Sequence, residues 1–174
     1  MVESVRIAAY GLRWLEPESE YDLCAHGRAE VRLDDELFIA TSDGELALST
    51  AALHLLRTVA STHTADSPVA EHLIPCCGHF MYLDDMGRAV NLGCPYGVNW
   101  WVRHDDGIVV LNREDGVERR VGSEAWARAV GAFSDQIRAF YQASPPREFS
   151  GEDDALWYRA VQEEWNALRA KIPA

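Results

Sequence analysis

The side chains best suited to bond-making or metal binding gather in one stretch, Ile74-Pro-Cys-Cys-Gly-His79, with Cys94 fifteen residues beyond His79. Cys77-Gly-His79 has the same form as Cys24-Ala-His26. Two such pairs offer four soft ligands, the set a tetrahedral zinc site uses. One residue between ligands is tighter than the spacing usual in such sites, and the two halves lie far apart in the chain. A thiol enzyme needs Cys76 or Cys77 ionised by a histidine. On an extended strand, residues 77 and 79 share a face at about 6–7 Å, too far for a direct hydrogen bond. Free cysteines at strand entrances otherwise serve as small buried hydrophobes. The metal set Cys24, His26, Cys77 and His79, and the thiol set Cys76, Cys77, His79 and Cys94, therefore stand as alternatives to a chain with no cofactor. His63 and His72 fall in a polar loop and His104 opens a turn, so all three read as surface residues.

Paired carboxylates at Asp34-Asp35, Asp84-Asp85 and Asp105-Asp106 sit in turn signals, where Asp bonds to nearby backbone without catalysis. Asp153-Asp154 falls in a helix first turn and complements the N-terminal dipole. The glycine-rich phosphate loops, the nucleophile elbow and the His-Glu-x-x-His zinc motif are all missing, and Lys171 is the single lysine. The other fifteen bases are arginine, a mark of a GC-rich, bacterial genome.

Charge and aromatics suggest binding rather than transformation. Asp and Glu number 28 against 16 Lys and Arg, a formal charge of −12, which argues against nucleic acid and anionic lipid as partners. Residues 16–45 hold ten of the acids (Glu16, Glu18, Glu20, Asp22, Glu30, Asp34, Asp35, Glu36, Asp43, Glu45) and only Arg28 and Arg32 as bases. A negative surface of this kind either keeps the chain soluble or steers a basic partner. Trp100 and Trp101 alternate across a strand, so one of them should face away from the core and offer an exposed anchor.

Turns and periodicity mark the strands and helices that carry these residues. Hairpins are expected for 28–33 with 36–41, 79–83 with 88–92, and 98–104 with 108–113, followed by 117–121; the last five strands should form one antiparallel meander. A helix near 50–61 carries Leu53, Leu56 and Val59. After Ser123, a candidate N-cap, Trp126, Val130, Phe133, Ile137 and Phe140 lie on one helical stripe that Pro145-Pro146 ends. Ser150-Gly-Glu-Asp153 reads as a capping box for a last helix with Trp157, Val161, Trp165, Leu168 and Ile172. These elements make an α+β fold, an antiparallel sheet covered on one face by helices. At 174 residues and 48% hydrophobic content, one domain can bury its own core. With no signal peptide and no apolar run near ~18 residues, a soluble cytoplasmic protein with free thiols is expected.

The stretch from His79 to Leu111, centred on Gly-Cys-Pro-Tyr-Gly-Val-Asn-Trp100, resembles the central hairpins of small bacterial immunity proteins that neutralise polymorphic or contact-dependent toxins. The resemblance implies a compact acidic inhibitor, without catalysis, that covers a toxin's active site or an essential surface. On that reading the contact residues are Glu16, Glu18, Glu20, Asp22, Asp34, Asp35, Glu36, Trp100 and Trp101, and the partner is a basic toxin domain. A thiol- or metal-dependent enzyme and a small-ligand binding domain are the alternatives, and oligomeric state is open.

Overall fold

The computed structural model describes residues 2–41, 46–76, 80–92 and 96–173. In chain order the elements are β1 (Val5–Arg13), β2 (His26–Leu33), β3 (Glu36–Ala40), β4 (Leu46–Ala47), α1 (Leu48–Arg57), β5 (Ile74–Pro75), β6 (Phe80–Leu83), β7 (Ala89–Leu92), β8 (Gly97–Val98), β9 (Trp101–Asp105), β10 (Ile108–Asn112), β11 (Glu118–Gly122), α2 (Ser123–Ala143) and α3 (Glu152–Arg169). The fold is α+β with antiparallel sheets, and two of its helices lie near the C-terminus.

The first sheet runs β1-β2-β3, with β4 also paired to β2. β1 carries no clean apolar alternation, because Ile7, Ala8 and Ala9 are all buried and a bulge between Tyr10 and Arg13 breaks the register. Gly11 supplies the positive φ of +62° that this bulge requires. The outer edge of β1 is closed by α2: Gln136 accepts from the Ala9 N–H at 2.9 Å and donates to the Ala9 carbonyl at 2.7 Å, as a neighbouring strand would. Beyond β3, Arg113 donates to the Phe38 carbonyl and stacks over its ring.

The second sheet is the meander β9-β10-β11. Its edges are met by single bridges, His63 beside Val102 and Val2 beside Val121. The meander holds three strands rather than the five expected. The segment between β7 and β9 pairs elsewhere, β8 with β5, so β6 and β7 form a separate hairpin packed on α3.

At the centre lies α1, whose residues Leu48 to Leu56 are all buried. Its polar groups find internal partners: the Ser49 hydroxyl accepts from the Ala25 N–H, and the His54 ring bonds through Nδ1 to the His72 carbonyl at 2.8 Å. Around it pack the stripes expected of α2 (Trp126, Val130, Phe133, Ile137) and of α3 (Val161, Trp165), within one contiguous apolar core. Trp126 donates to Thr58 Oγ1, which itself donates to the Leu55 carbonyl, so the C-terminal turn of α1 is tied to α2. The helix starts differ from the expected caps. Gly122 precedes α2 and Gly151 precedes α3, neither with a side-chain cap, and Ser150 bonds the Asp154 carboxylate instead of the backbone. Glu152, Asp153 and Asp154 nevertheless fill the first turn of α3, where the helix dipole favours them. Among the described residues no helix is long and apolar enough to cross a membrane.

Candidate protein-binding site

The acids of residues 16–36 separate into two groups because β2 lies between them. β1 enters at Val5 opposite Leu33 and leaves at Arg13 opposite His26, so the 14–25 connection and the 34–35 turn sit at opposite ends of the first sheet. The eight residues of β2 span about 23 Å. That exceeds the roughly 8 Å over which exposed charges act at physiological salt, so the two groups cannot work as one patch.

At the 34–35 end the Asp34 carboxylate serves the fold. Asp34 accepts from the backbone N–H groups of Ser4 at 2.7 Å and Glu3 at 3.0 Å, which anchors the N-terminal segment. The Ser4 N–H is the main reason its carboxyl sits below the ordinary range. Asp34 and Asp35 make the turn with positive φ, and Glu36 pairs with Arg119 at 3.6 Å.

At the other end the acids are presented outward. Asp22 is the exception. Partial burial opposes its ionisation, yet the His26 ring and the N–H groups of Leu15 and Cys24 outweigh that cost and hold its carboxyl below the usual value. Asp22 thereby clamps both ends of the 15–24 connection and leaves Glu16, Glu18 and Glu20 exposed on it. The connection is then laced to the turn between α2 and α3. The Glu148 N–H donates to the Glu20 carbonyl at 2.8 Å, and Arg147 reaches the carbonyls of Glu20 and Ser19. Arg147 is turned inward, 4.3 Å above the Trp14 ring, which packs on Phe140 and Tyr141. The Glu20–Glu148 bond brings to one junction two segments whose next residues are the exposed Tyr21 (54%) and Phe149 (38%), and in which Glu16, Glu18, Glu20, Glu148, Glu152 and Asp153 are all exposed. Phe149 leans on Tyr158 at 5.6 Å, so this anchor is braced from α3.

Of the two tryptophans, one is buried and the other partly exposed. Trp100 is fully buried and precedes β9, while Trp101 is partly covered, with its ring 5.4 Å from that of His63. His63 itself is fully buried, contrary to the surface reading. Its Nδ1 accepts from the Val69 N–H at 3.1 Å, which leaves Nε2 to donate to Asn99 Oδ1 at 3.0 Å. That carboxamide oxygen also accepts from the Leu73 N–H, so one imidazole orders the 61–73 loop. Burial lowers the pKa of His63 in spite of the Asn99 bond.

Of the candidate thiol and metal ligands, Cys77, His79 and Cys94 lie outside the described residues. Burial pushes the Cys24 thiol up to about 12 although Ser49 and Thr50 hydrogen-bond to it, the opposite of what a nucleophile needs. His26 turns instead toward Asp22, 3.6 Å away. Cys76 is partly buried next to β5. Among the described residues no three His, Cys, Asp or Glu side chains gather as a metal would require.

A cleft of about 450 Å³ opens between the C-terminal end of α1, the 68–71 segment, β7 and α3. Arg57 closes one end of it by a two-pronged pair with Glu164, at 2.7 and 2.8 Å, and by bonds to the carbonyls of Val69 and Ala89. No family model matches the chain, nor does any curated protein or solved structure.

Tyr21 and Phe149 could have been suspected from sequence only as aromatics among acids. Their place at one junction depends on the Glu20–Glu148 backbone bond, which joins segments more than a hundred residues apart.

Proposed function

We propose that the protein works by binding a cationic protein surface, as an immunity-type inhibitor does, through the junction of the 16–21 and 148–153 segments. The observation that carries this reading is the Glu20–Glu148 link, which joins the segment bearing exposed Glu16, Glu18, Glu20 and Tyr21 to the one bearing exposed Glu148, Phe149, Glu152 and Asp153. Exposed acids raise the rate of encounter with a basic partner, and a pair of desolvated aromatics slows its release. The partner would be a basic toxin domain, occluded rather than chemically altered, and the encounter would take place in the cytoplasm.

The test pairs this chain with the product of the adjacent open reading frame, because an inhibitor and its target are commonly encoded together. The expected result is a stable complex whose association slows on Glu16→Lys, Glu18→Lys and Glu20→Lys combined. A product that does not bind, or one that binds the triple variant as fast, contradicts the proposal.

A further inference from the structure

Strand edges are the places where a folded protein leaves backbone donors and acceptors open, and the outer edges of the two larger sheets are met by other groups. Gln136 covers β1, Arg113 meets β3, Val2 bridges to β11 and His63 to β9. β7 differs. It belongs to a two-stranded hairpin and pairs on one side only, with Met81 opposite Asn91 and Tyr82 opposite Val90. The Asp84 N–H bonds the Arg88 carbonyl, so Arg88, Val90 and Leu92 direct their backbone groups toward β6. By alternation Ala89 and Asn91 direct theirs outward, into the cleft. Arg57 already holds the Ala89 carbonyl at 2.8 Å and buries that residue. Asn91 has no such cover among the described residues, and its side-chain Nδ2 is a buried donor without an acceptor. Among the described residues the outward N–H and C=O of Asn91 therefore meet no partner.

An outward N–H beside an outward C=O on one residue favours a ligand that brings both a donor and an acceptor in register. Backbone peptide does so, as the Gln136 carboxamide does at Ala9. We propose that an extended peptide segment of a partner protein docks in this cleft as a third strand, forming a two-bond pair with the backbone of Asn91. Arg57 holds the neighbouring position at Ala89 and limits the added strand to the Asn91 end. The opposing wall of Pro68, Val69 and Ala70 suits small apolar side chains, and exposed Glu71 at the rim favours a basic residue in the same peptide. This mode of recognition reads backbone for affinity and alternate side chains for specificity.

The test selects phage-displayed random heptapeptides on the whole immobilised chain, with the uncoated support as background. The tightest binder, resynthesised, is then the probe in amide hydrogen exchange followed by NMR. The expected result is that the Asn91 amide slows about tenfold or more, while Val90 and Leu92, already in the ladder, change little. Asn91→Pro removes the outward N–H and should weaken the peptide at least about tenfold, whereas Glu16→Lys, Glu18→Lys and Glu20→Lys combined should leave its affinity unchanged. No peptide above background, or a bound peptide that leaves Asn91 exchange unaltered, overturns the proposal. Should Asn91→Pro fail to fold, exchange on the unaltered chain decides alone. Because the acidic junction is not involved, failure here and failure of the acidic face are separate results.

Discussion

The two ends of the first sheet carry the same kind of residue to opposite purposes. At the 34–36 turn, Asp34 is bonded to the N-terminal backbone and Glu36 is paired with Arg119. At the 16–21 connection a single acid, Asp22, takes on the internal bonds and leaves three glutamates and a tyrosine exposed. The difference lies in where backbone donors fall: a tight turn beside a chain terminus offers N–H groups to a carboxylate, whereas a clamped loop turns its remaining side chains outward. Acid content alone thus does not locate a binding surface.

The strongest way to break that contrast is charge reversal at each end. Glu16→Lys, Glu18→Lys and Glu20→Lys together should slow association with the partner by about tenfold or more and flatten its dependence on salt, read by stopped flow. Asp34→Lys with Asp35→Lys should leave the rate within about twofold. The aromatic pair comes next. Tyr21→Ala with Phe149→Ala should speed dissociation by about tenfold with little change in association, measured by surface plasmon resonance. If association changes instead, the rings steer rather than anchor.

A smaller effect belongs to stability. Asp34→Asn keeps the shape but loses charge-assisted bonds to Glu3 and Ser4, so the urea midpoint should fall while partner binding is unchanged. An unchanged midpoint would remove Asp34 from its structural role. The smallest is pH dependence at the 61–73 loop. The folded pKa of His63 lies below its ordinary 6.5, so the unfolded chain binds more protons between the two values. Stability from this residue is complete above about 6.5 and is lost as pH falls toward the folded value. Urea midpoints measured over this range should decline with acid, and His63→Gln should flatten the decline.

Much of the architecture was legible because it follows local rules. The stripes of α2 and α3 are periodic, and the hairpins are marked by Asp-Asp and Asp-Gly turns. β1 was not legible, since three successive buried residues and a glycine bulge erase the period-two pattern. Nor could periodicity tell that β8 would pair with β5 and divide the meander. The acidity of residues 16–45 is legible in the sequence, but its division depends on the antiparallel register of β1 and β2. The burial of His63 is illegible for a related reason: a polar loop reads as exposed, although this ring supplies the acceptor and donor that order it.

The most direct measurement is the association rate with the adjacent gene's product as a function of ionic strength, for the unaltered chain and for the Glu16, Glu18 and Glu20 reversal. A steep fall with salt for the former and a slow, nearly flat profile for the latter is the predicted result. Two superimposable profiles would contradict the assignment of the junction as the binding face.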